Sequence, residues 1–104
     1  SAASDVYKRQ DFYYSDATYT GIEATAYFSQ SAQWLRTEFE VIGLYHSGKL
    51  PEAVKTTISR EAGTAKVDDV DFIDTPDTDY YLVEIDQEPN DRYLKIGEDG
   101  SILP

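Results

Sequence analysis

Nearly all of this chain alternates apolar and polar residues with a period of two; only one stretch keeps a helical period, and that contrast limits the fold most. The exception is 50–63, where Leu50, Ala53, Val54, Ile58 and Ala62 recur at i, i+3, i+4 along one face. Pro51 suits the first helical turn and Gly63 a left-handed stop. Downstream, Val70 and Phe72 mark one strand, Tyr81, Val83 and Ile85 a second, and Leu94 and Ile96 a third. Asp99-Gly100 reads as a turn before a last pair, Ile102 and Leu103. At 104 residues the chain is the size of one compact domain or two very small ones, and its nine Tyr and four Phe add to the sheet signal. The pattern predicts an α+β fold, one helix packed on an antiparallel β-sheet.

The first half echoes the second. Sliding residues 11–35 by 68 positions onto 79–103 sets Asp11-Phe12-Tyr13-Tyr14 on Asp79-Tyr80-Tyr81-Leu82, Phe28 on Ile96 and Trp34-Leu35 on Ile102-Leu103 without a gap. At that offset the helix and first strand of the second copy would fall almost wholly before residue 7, so the first copy is expected to have lost its helix. The chain contains no Met, so Ser1 is expected to mark a processing site or a break upstream. Residues 1–10 look like a translated adapter of the kind found at the ends of reading frames assembled from environmental DNA. They are expected to be a non-native leader, irregular and outside the fold. The resulting division is a truncated first unit at 11–42, a linker at 43–49 and a complete second unit at 50–104, joined in one continuous sheet.

Five segments carry a family resemblance: Ala26-Tyr27-Phe28, Trp34-Leu35-Arg36-Thr37-Glu38, Leu50-Pro51-Glu52-Ala53-Val54, Tyr80-Tyr81-Leu82-Val83-Glu84, and Ile96 through Leu103. Over about residues 11–104 the chain resembles the PepSY-like family, which is similar in fold to the β-lactamase inhibitor protein. Its members are mostly small secreted or periplasmic proteins of gut Bacteroidetes, often with tandem helix-on-sheet units. The resemblance implies a periplasmic or secreted location and protein binding, and it brings no catalytic residue.

Charge and residue usage exclude several classes of function. Twenty acidic against nine basic residues give a net charge of −11, which repels nucleic acid and anionic membrane surfaces. No apolar run approaches the ~18 residues a membrane span needs. Without Cys there is no disulfide framework, thiolate metal site or cysteine nucleophile. The single His, His46, sits in the linker without a partner for nucleophilic chemistry and is expected to be exposed and dispensable. Paired carboxylates would need a deep cleft that a helix-on-sheet domain of this size does not readily supply, and no Gly-rich phosphate loop exists. No catalytic residue, cofactor or enzyme activity is therefore expected. Asp68, Asp69, Asp71, Asp74, Asp77 and Asp79 suggest calcium, but their spacing lacks the Gly and terminal Glu of a calcium loop. They read instead as a solvated strand edge and turn that discourages aggregation, and no metal site is assigned.

The aromatic residues point to a function. With Tyr81, Val83, Ile85, Leu94 and Ile96 under the helix, strand parity turns Tyr80, Leu82, Glu84 and Tyr93 to the other face. Ala24, Ala26 and Phe28 likewise turn Tyr27 outward. Trp34 and Arg36 share a parity opposite to Leu35 and Thr37, with the inward side undecided so near a turn. This second face either packs on a missing element or a neighbouring chain, or it binds a partner, since exposed Tyr, Trp and Arg dominate interface energetics. The candidate contact residues are Tyr27, Trp34, Arg36, Tyr80, Leu82, Glu84 and Tyr93. The leading expectation is a non-enzymatic, inhibitor-like binding module for an unknown protein partner. The alternative is a structural or assembly domain that self-associates through its open face, with a homodimer or higher assembly expected through the face or edge, carrying Ala24, Ala26 and Phe28, that the lost helix would have covered.

Overall fold

The structure is a computed structural model that describes the backbone of residues 6–14 and all of residues 22–104. Seven strands form one sheet in chain order: β1 (Val6–Tyr14), β2 (Ile22–Ser29), β3 (Trp34–Glu40), β4 (Val67–Asp74), β5 (Asp79–Ile85), β6 (Arg92–Ile96) and β7 (Ile102–Leu103). Every neighbouring pair is antiparallel. Two helices, α1 (Ile42–His46) and α2 (Glu52–Ala62), lie between β3 and β4 in the chain. The α+β architecture expected from the period-two and helical patterns is the one observed.

Alternation builds the core. Ala24, Phe39, Phe72, Tyr81 and Ile96 occupy one row of paired positions across β2 to β6, and all are buried. Val70, Val83 and Leu94 form the next row. These residues cluster with Leu50, Val54 and Ile58 of the helical segment, so α2 covers this face. Burial of such side chains contributes about 1.5–3 kcal/mol each. Pro51 takes the N-cap position rather than the first turn, and Gly63 closes the helix at φ +58. Glu52 in the first turn and Arg60 in the last complement the helix dipole. Ala53, assigned by period to the apolar face, is exposed, and Thr57 is buried in its stead. The Thr57 hydroxyl donates to the Gly100 carbonyl at 2.6 Å, tying α2 to the turn between β6 and β7.

Three expectations need correction. Val6–Gln10 is not an irregular leader: its backbone forms half of β1, with Val6 opposite Ser29, Tyr7 opposite Phe28 and Gln10 opposite Ala26. Residues 1–5 lie outside the described residues. The 43–49 linker contains a helix. It holds most of α1, from which Ile42, Leu44 and Tyr45 pack on the core. Ala24 and Ala26 are buried and Phe28 is half-buried, so the face expected to lack a cover is not bare.

The internal echo is real at one place and absent at another. Phe28 pairs with Trp34 as Ile96 pairs with Ile102, but Lys95 pairs with Leu103 whereas Tyr27 pairs with Arg36 rather than Leu35, so β2–β3 and β6–β7 agree at the 68-residue offset in one pair only. The same offset would set Tyr13 against Phe28, as Tyr81 stands against Ile96, yet Tyr13 pairs with Glu23 and Phe28 with Tyr7. The β1–β2 ladder therefore runs in a different register from β5–β6.

Candidate functional site: the outer face of the sheet

The face away from α2 carries the residues that alternate with the core. Cross-strand register sets Tyr27 beside Arg36, then Glu38, Ile73 and Tyr80 in one row, Glu40, Asp71, Leu82, Lys95 and Leu103 in the next, and Asp69, Glu84 and Tyr93 in a third. Of the seven residues expected to meet a partner, Tyr27, Arg36, Tyr80, Leu82, Glu84 and Tyr93 share this face.

Trp34 does not join them. Tyr27 pairs with Arg36 but Phe28 pairs with Trp34, which leaves Leu35 as an extra residue in β3. Such a bulge inverts the parity beyond it. Trp34 accordingly turns to the side of buried Thr37, and its indole N–H donates to the Thr37 hydroxyl at 2.9 Å. The parity that Trp34 shares with Arg36 in the sequence is cancelled by this inserted residue.

Each outward tyrosine is held by a charged neighbour. The Arg36 guanidinium lies 4.0 Å from the Tyr27 ring centroid and donates through Nε to Glu38 at 2.7 Å. The Lys95 ammonium lies 5.1 Å from the Tyr80 ring centroid. The Tyr93 hydroxyl donates to Glu84 at 3.0 Å, which raises the Tyr93 pKa, and the Tyr93 side of the face stays open at 61% exposure. Cation–π contacts of this kind contribute about 0.5–1 kcal/mol at exposed sites. Their greater consequence is that the rings are already pinned before any partner arrives, which lowers the ordering cost of binding.

Between the tyrosines lies a carboxylate strip that the sequence reading assigned to a strand edge. β4 is flanked by β3 and β5 and is no edge. Asp69 and Asp71 are half-buried on its outer side. Asp71 Oδ1 is shielded from solvent without a hydrogen-bond donor. Burial, then repulsion and proton sharing with Asp69, push the Asp71 carboxyl up to about 7. At the far end of the same hairpin, Asp74 stands opposite Asp79, and burial together with that neighbour raises it to about 6. Lys95, Leu103 and the strip itself were not among the expected site residues, and their outward parity relative to Val70, Phe72 and Leu94 was the available signal; Ile73 shares that parity but is buried.

Leu82, Tyr93, Leu94, Lys95, Ile102, Leu103 and Pro104 line a shallow groove of about 220 Å³ along β6 and β7. It is smaller than the roughly 300–1,000 Å³ typical of small-molecule sites, and suits one or two side chains of a partner better than a substrate. His46 is exposed at the end of α1, whose Ile42, Leu44 and Tyr45 pack on the core side of the sheet, with its ring 5.4 Å from that of Tyr45. Asp68, Asp86 and Asp91 bring carboxylate oxygens within 4.8 Å of one another, at the opposite end of β4 and β5 from the Asp74–Asp79 pair.

No protein-family profile matches the chain, and no curated protein matches it in sequence. Solved structures do. A BLIP-like protein from Bacteroides fragilis superposes with a TM-score of 0.71 at 23% identity, covering 93% of this chain and 73% of its own. A DUF2874 family protein from Bacteroides ovatus gives 0.71 at 17% identity over 95% and 72%. A candidate periplasmic protein from Bacteroides eggerthii gives 0.70 at 16% identity over 95% and 73%. At these identities the likeness concerns the fold, and the sheet and helices described above have a BLIP-like fold.

Proposed function

We propose that the chain is a non-enzymatic, extracytoplasmic protein-binding module of inhibitor-like kind, and that the outer sheet face is its contact surface. The observation that carries this reading is the alignment of Tyr27, Arg36, Tyr80, Leu82, Glu84 and Tyr93 on one face with the tyrosines pinned by charged neighbours. The BLIP-like fold of structures from Bacteroides, one of them a candidate periplasmic protein, supports the location and the class of function. The PepSY-like resemblance remains part of this proposal.

Self-association as an assembly domain would use the face of Ala24, Ala26 and Phe28, and the burial of these residues favours the outer face instead. The test is capture from a Bacteroides periplasmic extract with the native chain and with a Tyr80→Ala/Tyr93→Ala variant. A partner retained by the native chain and lost from a variant of equal melting temperature supports the reading. Equal retention by both contradicts it.

A further inference from the structure

The outer face is chemically lopsided. Among the described residues, Glu38, Glu40, Asp69, Asp71 and Glu84 lie on it, against Arg36 and Lys95. Arg36 is already engaged with Glu38 and Tyr27, and Lys95 lies over Tyr80. The groups that face Asp71 across the pairing are Glu40 on β3 and Leu82 on β5, with Asp69 two residues away on its own strand. None of these side chains is a cation, and Asp71 Oδ1 meets no donor. Beside this strip the groove of Leu82, Tyr93, Ile102 and Leu103 offers an apolar seat, with Leu82 common to both.

We infer that the outer face takes a basic segment of a partner protein, with lysine or arginine side chains along the Asp69–Asp71–Glu84 strip and an aliphatic side chain in the groove between β6 and β7. The inference rests on the outer-face reading and specifies the partner's chemistry. Complementary charge suits this face for two reasons. A cation set against crowded carboxylates relieves their mutual repulsion, and a net charge of −11 draws a basic partner in from a distance. A partner with an acidic surface would add like charge to groups that already repel one another.

The test uses the full chain, uniformly labelled with 15N, and three synthetic twelve-residue probes: alternating Lys and Leu, alternating Glu and Leu, and alternating Lys and Ser. Amide shifts locate the contact and titration gives the affinity. The Lys/Leu probe is expected to move residues of β3 to β7 on the outer face and to bind about tenfold more tightly than either other probe, a difference of about 1.4 kcal/mol. Asp69→Asn/Asp71→Asn is expected to weaken it about fivefold, whereas the charge-matched Glu52→Gln/Glu98→Gln, on α2 and in the turn after β6, weakens it less than twofold. Equal weakening by both variants would show attraction to net charge alone and overturn the inference. Glu/Leu binding as tightly as Lys/Leu on the outer face would also overturn it while leaving the outer-face reading in place. Shifts confined to the α2 side would overturn both.

Discussion

Gly100 shows how one residue can hold the helix to the sheet. Its φ of +86 is a conformation other residues rarely adopt, and a Cβ there would stand 2.7 Å from the Ala53 carbonyl oxygen in α2. Its own carbonyl accepts the Thr57 hydroxyl. Gly100→Ala is expected to cost about 2–3 kcal/mol in denaturant unfolding, through backbone strain and displacement of α2; an unchanged midpoint would contradict the close docking. The aspartates on β4 govern a second residue-scale effect. A carboxyl held at about 7 when folded, against 3.8 when free, binds its proton more tightly in the folded chain. The stability this contributes is full at acid pH and is lost as pH rises towards 7, and Asp74 behaves alike up to about 6. Glu61 and Asp99 work in the opposite sense: Arg92 and Arg60 lower the first, and Ser101 lowers the second, so their contribution fades in acid. Melting temperature is therefore expected to rise as pH falls from 8 to about 5. Asp71→Asn should flatten that slope and raise the melting temperature at pH 8 by about 2–5 °C. A variant with the native slope would contradict the assignment.

At the scale of elements, alternation was the legible signal. Val70/Phe72, Tyr81/Val83/Ile85 and Leu94/Ile96 identify β4, β5 and β6, and Leu50, Val54 and Ile58 identify the covering helix, because each set follows the geometric period of its element. The misplaced features are those a period cannot encode. One extra residue in β3 turns Trp34 to the other side, and a register shift between Lys8 and Gln10 likewise interrupts β1. The five residues of α1 make too few turns to show a helical period. The outward placement of Tyr27, Tyr80, Leu82, Glu84 and Tyr93 was readable from parity and that of Arg36 was left open by the nearby turn, whereas the carboxylate strip was hidden because the sequence does not say which strand is interior. β1 gives the sharpest test at this scale. Deleting residues 1–10 removes the pairing of Val6–Gln10 with Ala26–Ser29 and uncovers the β2 edge. The expected result is a loss of about 4 °C or more in melting temperature; a truncated chain that melts with the native one would put those residues outside the fold.

For the whole molecule, one seven-stranded sheet divides the labour between two faces. One is occupied by α2 and the packed side chains of α1 and is spent on stability. The other carries tyrosines, carboxylates and a side-chain-sized groove without a helix of its own among the described residues. Among the described residues, no helix is long and apolar enough to cross a membrane. The likeness to BLIP-like and DUF2874 structures extends over more than nine-tenths of the chain and concerns the fold, which does not carry the surface chemistry with it. The most direct measurement of the division is photo-crosslinking in a Bacteroides periplasmic extract, with p-benzoylphenylalanine replacing Tyr93 on the outer face in one sample and exposed Thr56 on α2 in another. The account predicts a discrete adduct from position 93 and none from position 56. An adduct from position 56 alone would contradict it.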